Sequence, residues 1–249
     1  MIESIDILGV QVHAVTYLQV IDIIGDWIAQ GDPHQLATAN PEFVMAAQHN
    51  PEFCKVLNHA DLCVPDGVGL LWAARRLGRI LPERVTGSDL VPLLARKAAE
   101  KGWRVYLLGA GPGVAERTAQ ILLSQNPAFR IAGTYAGSPA EADAPALVER
   151  VRVVRPDILW VAYGAPAQDL WIARYGSELG VPVMVGVGGA FDHIAGVRKR
   201  APGWIQRIHL EWLFRLITQP WRWRRQLVLP QFVWAVMRQA RQNKQGKPA

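Results

Sequence analysis

The sequence predicts an α/β fold, a layered domain on a mostly parallel sheet, followed by a basic, amphipathic helical appendage. Three observations carry this. Short β-branched runs alternate with helical patterns and turn signals from the N-terminus to about residue 190, as layered α/β domains require. Several runs, such as Ile158 to Ala162, are apolar without interruption, which suits parallel strands covered on both faces. From Gly196 onward twelve Lys or Arg stand against one acidic residue, Glu211, and five of the ten tryptophans gather there.

In chain order, strands are expected at Val10 to Ala14, Gln35 to Ala39, Leu62 to Val64, Arg104 to Leu108, Arg130 to Thr134, Asp157 to Ala162 and Val181 to Val187, with helices between most of them. Parallel neighbours joined this way need right-handed crossovers. The expected organisation is therefore a Rossmann-like domain over residues 1–195 and an appendage over 196–249.

At 249 residues, half of them hydrophobic, the chain can bury a substantial core. Cys54 and Cys63 sit in apolar segments without metal-ligand spacing, so buried free thiols in a reducing compartment are expected rather than a disulfide. No charged leader with an apolar run opens the chain, and no stretch of about 18 uninterrupted apolar residues occurs, so the expectation is a cytoplasmic protein that is neither secreted nor membrane-spanning. There is no Asp-x-Asp pair and no cluster of His and carboxylates. A divalent metal lacks an evident ligand set, and no cofactor is expected.

Ligands of parallel sheets bind beyond the carboxyl ends of the strands. The residues there are polar and glycine-rich: Thr38 and Asn40, Asp66 and Gly67, Gly109 to Gly113, Gly164 to Asp169, and Gly188 to Asp192. Gly109-Ala110-Gly111-Pro112-Gly113 opens a helix, where free amides and the helix dipole favour a diphosphate; a plain tight turn is the alternative. A dinucleotide fingerprint would need glycine where Val114 stands. Asp66 is placed to accept a proton from an attacking hydroxyl, or to cap the following helix. Thr38 and Asn40 share that ambiguity, since Asn40-Pro41 also reads as a cap with proline at the first helical position. Arg84 suits a diphosphate or carboxylate, or pairs with Glu83 or Asp89. Gln168 and Asp192 suit a base and a ribose, or ordinary loop bonding. His193 beside Asp192 reads as structural, because neighbouring side chains seldom converge and no nucleophile accompanies them.

In the appendage, Trp204, Ile205, Ile208, Trp212, Leu213, Leu216 and Ile217 recur at helical spacing. Trp221-Arg222-Trp223-Arg224-Arg225 follows Pro220, and a second apolar segment runs from Leu227 to Met237 around Pro230. Tryptophan and arginine suit an anionic membrane surface, each basic group gaining on the order of 1 kcal/mol there. The alternative is that these faces pack on the body or on another subunit, as in a homo-oligomer. No nucleic-acid reader motif accompanies the basic stretch.

The blocks Thr38-Ala39-Asn40-Pro41-Glu42, Pro65-Asp66-Gly67-Val68-Gly69, Glu83-Arg84-Val85-Thr86-Gly87-Ser88-Asp89, Gly164-Ala165-Pro166-Ala167-Gln168, Ala190-Phe191-Asp192 and Leu210-Glu211-Trp212-Leu213-Phe214-Arg215 resemble the WecG/TagA/CpsF family, glycosyltransferase family 26, over nearly the whole chain. The resemblance implies inverting, metal-independent transfer of a hexose or N-acetylhexosamine from a UDP-sugar donor to a polyprenyl-diphosphate-linked acceptor at the inner face of the membrane, in cell-envelope or exopolysaccharide biosynthesis. It implies Asp66 as the base, Thr38 and Asn40 in the sugar pocket, Arg84, Gln168 and Asp192 in the active site, and Arg215, Arg222 and Arg225 at the diphosphates. Ser138, Ala167 and Asp169 depart from the residues common in that family. Two rivals remain at this level: a nicotinamide oxidoreductase, from Gly109 to Gly113, and a non-catalytic membrane or nucleic-acid binder, from the tail.

Overall fold

The computed structural model describes residues 2–198, 201–203, 205, 213–214, 217 and 227–245. Its strands are β1 (Ser4–Ile7), β2 (Val10–His13), β3 (His34–Ala39), β4 (Leu62–Pro65), β5 (Arg104–Gly109), β6 (Arg130–Tyr135), β7 (Ile158–Ala162) and β8 (Val183–Gly186). Its helices are α1 (Tyr17–Gln30), α2 (Pro41–His49), α3 (Pro51–His59), α4 (Val68–Arg76), α5 (Gly87–Lys101), α6 (Val114–Gln125), α7 (Ala144–Val154), α8 (Ala167–Leu179), α9 (Ala190–Ile194) and, near the C-terminus, α10 (Val228–Gln245).

Six strands form one parallel sheet in the order β4-β3-β8-β7-β5-β6. The uninterrupted apolar runs follow from having two cores. Ile158, Trp160 and Ala162 of β7 face the core beneath α1, α5 and α6, while Leu159 and Val161 face another beneath α7 and α8. Side chains alternate across a strand, so both parities must be apolar. This is the layered α/β architecture expected from the sequence.

One strand escaped the sequence reading. Ser4–Ile7 pairs antiparallel with Val10–His13, so the first expected strand belongs to a separate two-stranded hairpin. The connection is Leu8-Gly9, both at positive φ (53° and 82°). That backbone suits the right-handed strand twist, but its usual marker is Asn-Gly or Asp-Gly. Leucine in the first position hid it.

The segment around Pro230 is one helix, α10, with the proline as its third residue. A proline in the first turn costs no intrahelical hydrogen bond. Phe232, Val236 and Ala240, four residues apart, are buried, and Phe232 and Val236 join the core of the hairpin, α2, α3 and α4. Gln239 ties α10 to the hairpin, accepting from the Leu8 amide at 3.1 Å and donating to Asp6. The opposite side exposes Val233 and Trp234, and Leu227, just before the helix, is exposed as well. Cys63 is buried and Cys54 half-buried, both as free thiols. Among the described residues no helix is long and apolar enough to cross a membrane.

Candidate active site

All six parallel strands end on one cleft of about 1130 Å³. Thr38 and Asn40 reach it from β3, Asp66 from β4, Ala110 and Gly111 from β5, Gly137 and Ser138 from β6, Tyr163 to Pro166 from β7, and Val187 to Gly189 from β8. Glu42 and His49 of α2 and Val228 and Gln231 of α10 line it as well.

Asp66 does not cap the helix that follows it. The cap position of α4 is Gly67, with no side-chain hydrogen bond and a φ of 117° that strongly favours glycine. The Asp66 amide donates to the Ala39 carbonyl at 2.6 Å, and its Oδ2 accepts from the Gly87 amide at 3.3 Å. Gly69 brings α4 against α2, because a Cβ there would stand 2.5 Å from Pro41 Cγ. Gly67 approaches too, since a Cβ there would lie 4.0 Å from Asn40 Cβ.

Asn40 is the N-cap of α2, its Oδ1 accepting from the Phe43 amide at 3.0 Å, and it also lines the cleft. Asn40 therefore caps α2 and stands at the cleft at the same time. Thr38 donates to the Gly186 carbonyl at 3.1 Å and so clips the ends of β3 and β8 together. A Cβ on Gly87 would lie 3.8 Å from the Thr38 hydroxyl, so Asp66, Gly87 and Thr38 form one corner of the cleft.

That corner is braced from outside. The Tyr17 hydroxyl accepts from the Thr86 amide at 2.7 Å, and Glu83 accepts from the Tyr17 amide at 2.8 Å. Thr86 caps α5 by accepting from the Asp89 amide. Burial pushes the Tyr17 phenol up to about 12, so it stays neutral. Arg84 stands 3.9 Å from Asp89 and is not among the residues lining the cleft.

Gln168 is fully buried at the cleft floor. Its Oε1 accepts from the amides of Gly164 (3.1 Å) and Gly188 (3.0 Å), joining the loops after β7 and β8. Asp192, in the first turn of α9, holds Arg198 at 3.1 Å. The His193 imidazole turns to the Arg198 carbonyl at 3.3 Å rather than forming a dyad with Asp192.

The glycine run divides its duties. A Cβ on Gly109 would lie 2.8 Å from the Ala162 carbonyl carbon, so this glycine is set by the approach of β7. Gly111 lines the cleft at the start of α6, a helix whose cap, Gly113, supplies no side chain. Pro112 has no N–H and the Val114 amide donates to the Gly111 carbonyl at 3.1 Å, so the Gly111 and Gly113 amides are the ones this turn offers an anion.

Sequence reasoning missed Glu42, Tyr163 and Arg198. Tyr163 directly follows an expected strand, and its buried hydroxyl has no hydrogen-bond partner among the described residues; Arg198 was counted only as part of a basic tail. Among the described residues lining the cleft, Arg198 is the one Lys or Arg. Arg215, Arg222 and Arg225 lie outside the described residues. No three His, Cys, Asp or Glu gather as a metal site among the described residues.

Three similar proteins share the name N-acetylglucosaminyldiphosphoundecaprenol N-acetyl-beta-D-mannosaminyltransferase. The one from Bacillus spizizenii is 38% identical over 83% of this chain and 79% of its own length. That from Bacillus subtilis is 33% identical over 86% and 82%, and that from Staphylococcus aureus 31% over 98% and 96%. Residues 5–246 match the Glycosyl transferase WecG/TagA/CpsF family. The cleft thus belongs to a chain that is a member of the WecG/TagA/CpsF family of glycosyl transferases.

Proposed function

We propose that this chain transfers an N-acetylhexosamine of the N-acetylmannosamine type from UDP to a sugar carried on a polyprenyl diphosphate, by direct displacement with inversion and without a metal. The observation that carries the reading is Asp66, a carboxylate on the wall of a cleft it shares with Thr38, Asn40 and the α6 N-terminus. A cleft of about 1130 Å³ exceeds the roughly 300–1,000 Å³ of ordinary single-ligand sites. That suits two substrates meeting.

The donor diphosphate rests on the Gly111 and Gly113 amides ahead of α6, with Arg198 as a nearby cation, and Asp192 receives the ribose. The acceptor hydroxyl gives its proton to Asp66 as its oxygen attacks the anomeric carbon from the face opposite UDP. The carbon–oxygen bond to the diphosphate breaks, and UDP leaves with the electron pair. Helix amides and guanidinium groups stabilise that charge in place.

In this reading the acceptor's prenyl chain anchors the reaction to a membrane, at its inner face. Leu227, just before α10, and Val233 and Trp234 on its exposed side supply apolar surface beside Val228 and Gln231 at the cleft. Arg215, Arg222 and Arg225 complete the acceptor side in this reading. Purified protein incubated with UDP-N-acetylmannosamine and a prenyl-diphosphate-linked N-acetylglucosamine should release UDP and form a disaccharide lipid. Absence of that product with every UDP-sugar tried would remove the reading.

A further inference from the structure

Asp169 is fully buried directly behind Gln168, and the proposed chemistry leaves it without a task. Among the described residues, neither carboxylate oxygen meets a partner at full hydrogen-bond geometry, nor does Nε2 of Gln168, yet the Gln168 amide lies close enough to act on the Asp169 carboxyl. Gln168 Nε2 and Asp169 Oδ1 both crowd Gly186. A Cβ on that glycine would lie 2.5 Å from Gln168 Nε2 and 2.8 Å from Asp169 Oδ1. The glycine makes the space, and the sequence fills it with an amide and an acid.

We propose that Asp169 is a positioning residue of the cleft: its carboxyl group, wedged behind Gly186, sets the orientation of the Gln168 amide and, through it, the Gly164 and Gly188 amides at the floor of the site. A glutamine side chain can present either end. Two amide donors already require its oxygen on the cleft side, so its NH2 must face Asp169, where the acid supplies an acceptor in a dry interior. A hydrophobic residue would leave that NH2 buried and unpaired, at a cost that loosens the strut.

The acid does this in its neutral form. Desolvation raises the Asp169 pKa to about 7, and the Gln168 amide offsets only part of the rise. The surroundings offer no charge to hold an ionised form. β3 contributes Gln35, which donates to the Asp169 carbonyl. β4 contributes the Cys63 thiol, pushed up to about 12 by burial and then by Asp169. β8 contributes Gly186, which has no side chain. Beyond Cys63 stands the His13 imidazole, which accepts from the Cys63 amide and is lowered by burial. On the outer part of α8, Arg174 pairs with Glu141, and both are mostly exposed; Glu52 of α3 acts on Arg174 as well. Among the described residues no cation lies within ion-pair reach of Asp169.

Two measurements on the intact protein test this, and only the second rests on the proposed transferase reading. Hydrogen exchange at the Gly164 and Gly188 amides, followed by NMR without ligand, should quicken about tenfold in Asp169→Leu and stay near wild type in Asp169→Asn. UDP affinity of the wild type should weaken severalfold as pH rises through about 7, and Asp169→Asn, which keeps the acceptor and cannot ionise, should lose that dependence. Unchanged exchange in Asp169→Leu, or an undiminished pH dependence in Asp169→Asn, overturns the proposal. Should Asp169→Leu fail to fold, the pH dependence of Asp169→Asn decides alone. If UDP binds no form of the protein, the transferase reading falls, and the exchange result still decides the role of Asp169.

Discussion

Asp66 and Gly87, 21 residues apart, meet at the mouth of the sheet, where the Asp66 carboxylate accepts from the Gly87 amide at 3.3 Å. The bond fixes one oxygen of the proposed base and ties β4 to the first residue of α5. It also explains why the base is not spent on its own helix: Gly67 takes the cap position and turns the chain away. The aim of Asp66 therefore depends on whatever holds residues 83–88.

Tyr17 is the main holder. Changing Tyr17 to Phe leaves the Thr86 amide without its 2.7 Å acceptor, at a residue only 5% exposed. An unpaired buried donor costs about 1–3 kcal/mol. Chemical denaturation should show a loss of that size, and kcat should fall more than substrate KM rises.

Gly109 and Gly111 should separate on substitution. Gly109→Ala sets a methyl 2.8 Å from the Ala162 backbone at a φ of 103°, and should lower stability by about 2 kcal/mol or more. Gly111→Ala meets only the Val114 side chain, at 3.6 Å. Its stability should stay within about 0.5 kcal/mol of wild type, while calorimetry shows weakened UDP binding.

Arg198→Ala should act on binding rather than on the fold. Its pair with Asp192 is half exposed on the arginine side, and such pairs contribute at most about 1 kcal/mol. The melting temperature should barely move, whereas KM for the UDP-sugar rises about tenfold if the guanidinium meets the diphosphate.

Asp169 gives the protein a pH dependence of known sign. Its pKa is raised to about 7 when folded, against about 4 in an unfolded chain. Between those values the folded state holds the proton and the unfolded state does not, so this contribution is complete below about pH 4 and is lost as pH rises through about 7. Melting temperatures across that window should fall more steeply with pH for wild type than for Asp169→Asn.

Much of this was legible in the sequence. Continuous runs such as Ile158 to Ala162 announced parallel strands because each strand feeds two cores. Thr38, Asn40, Asp66, Gly111, Gln168 and Asp192 could be gathered because they follow strands, and parallel strands all end on one side. What stayed hidden depended on contacts distant in sequence. Whether Asp66 capped α4 turned on Gly87, and the brace from Tyr17 spans 69 residues. Gln168 reads in the sequence as a ligand contact or as ordinary loop bonding, and nothing local foretells that its oxygen joins the Gly164 and Gly188 amides. The Leu8-Gly9 turn adopts a common geometry without its common residues.

The most direct measurement is single-turnover transfer by Asp66→Asn, with UDP affinity determined on the same preparation. Removing a general base should slow transfer by about 10²–10⁴-fold, while UDP affinity and melting temperature stay close to wild type. Transfer at the wild-type rate would contradict the assignment of Asp66 as the base.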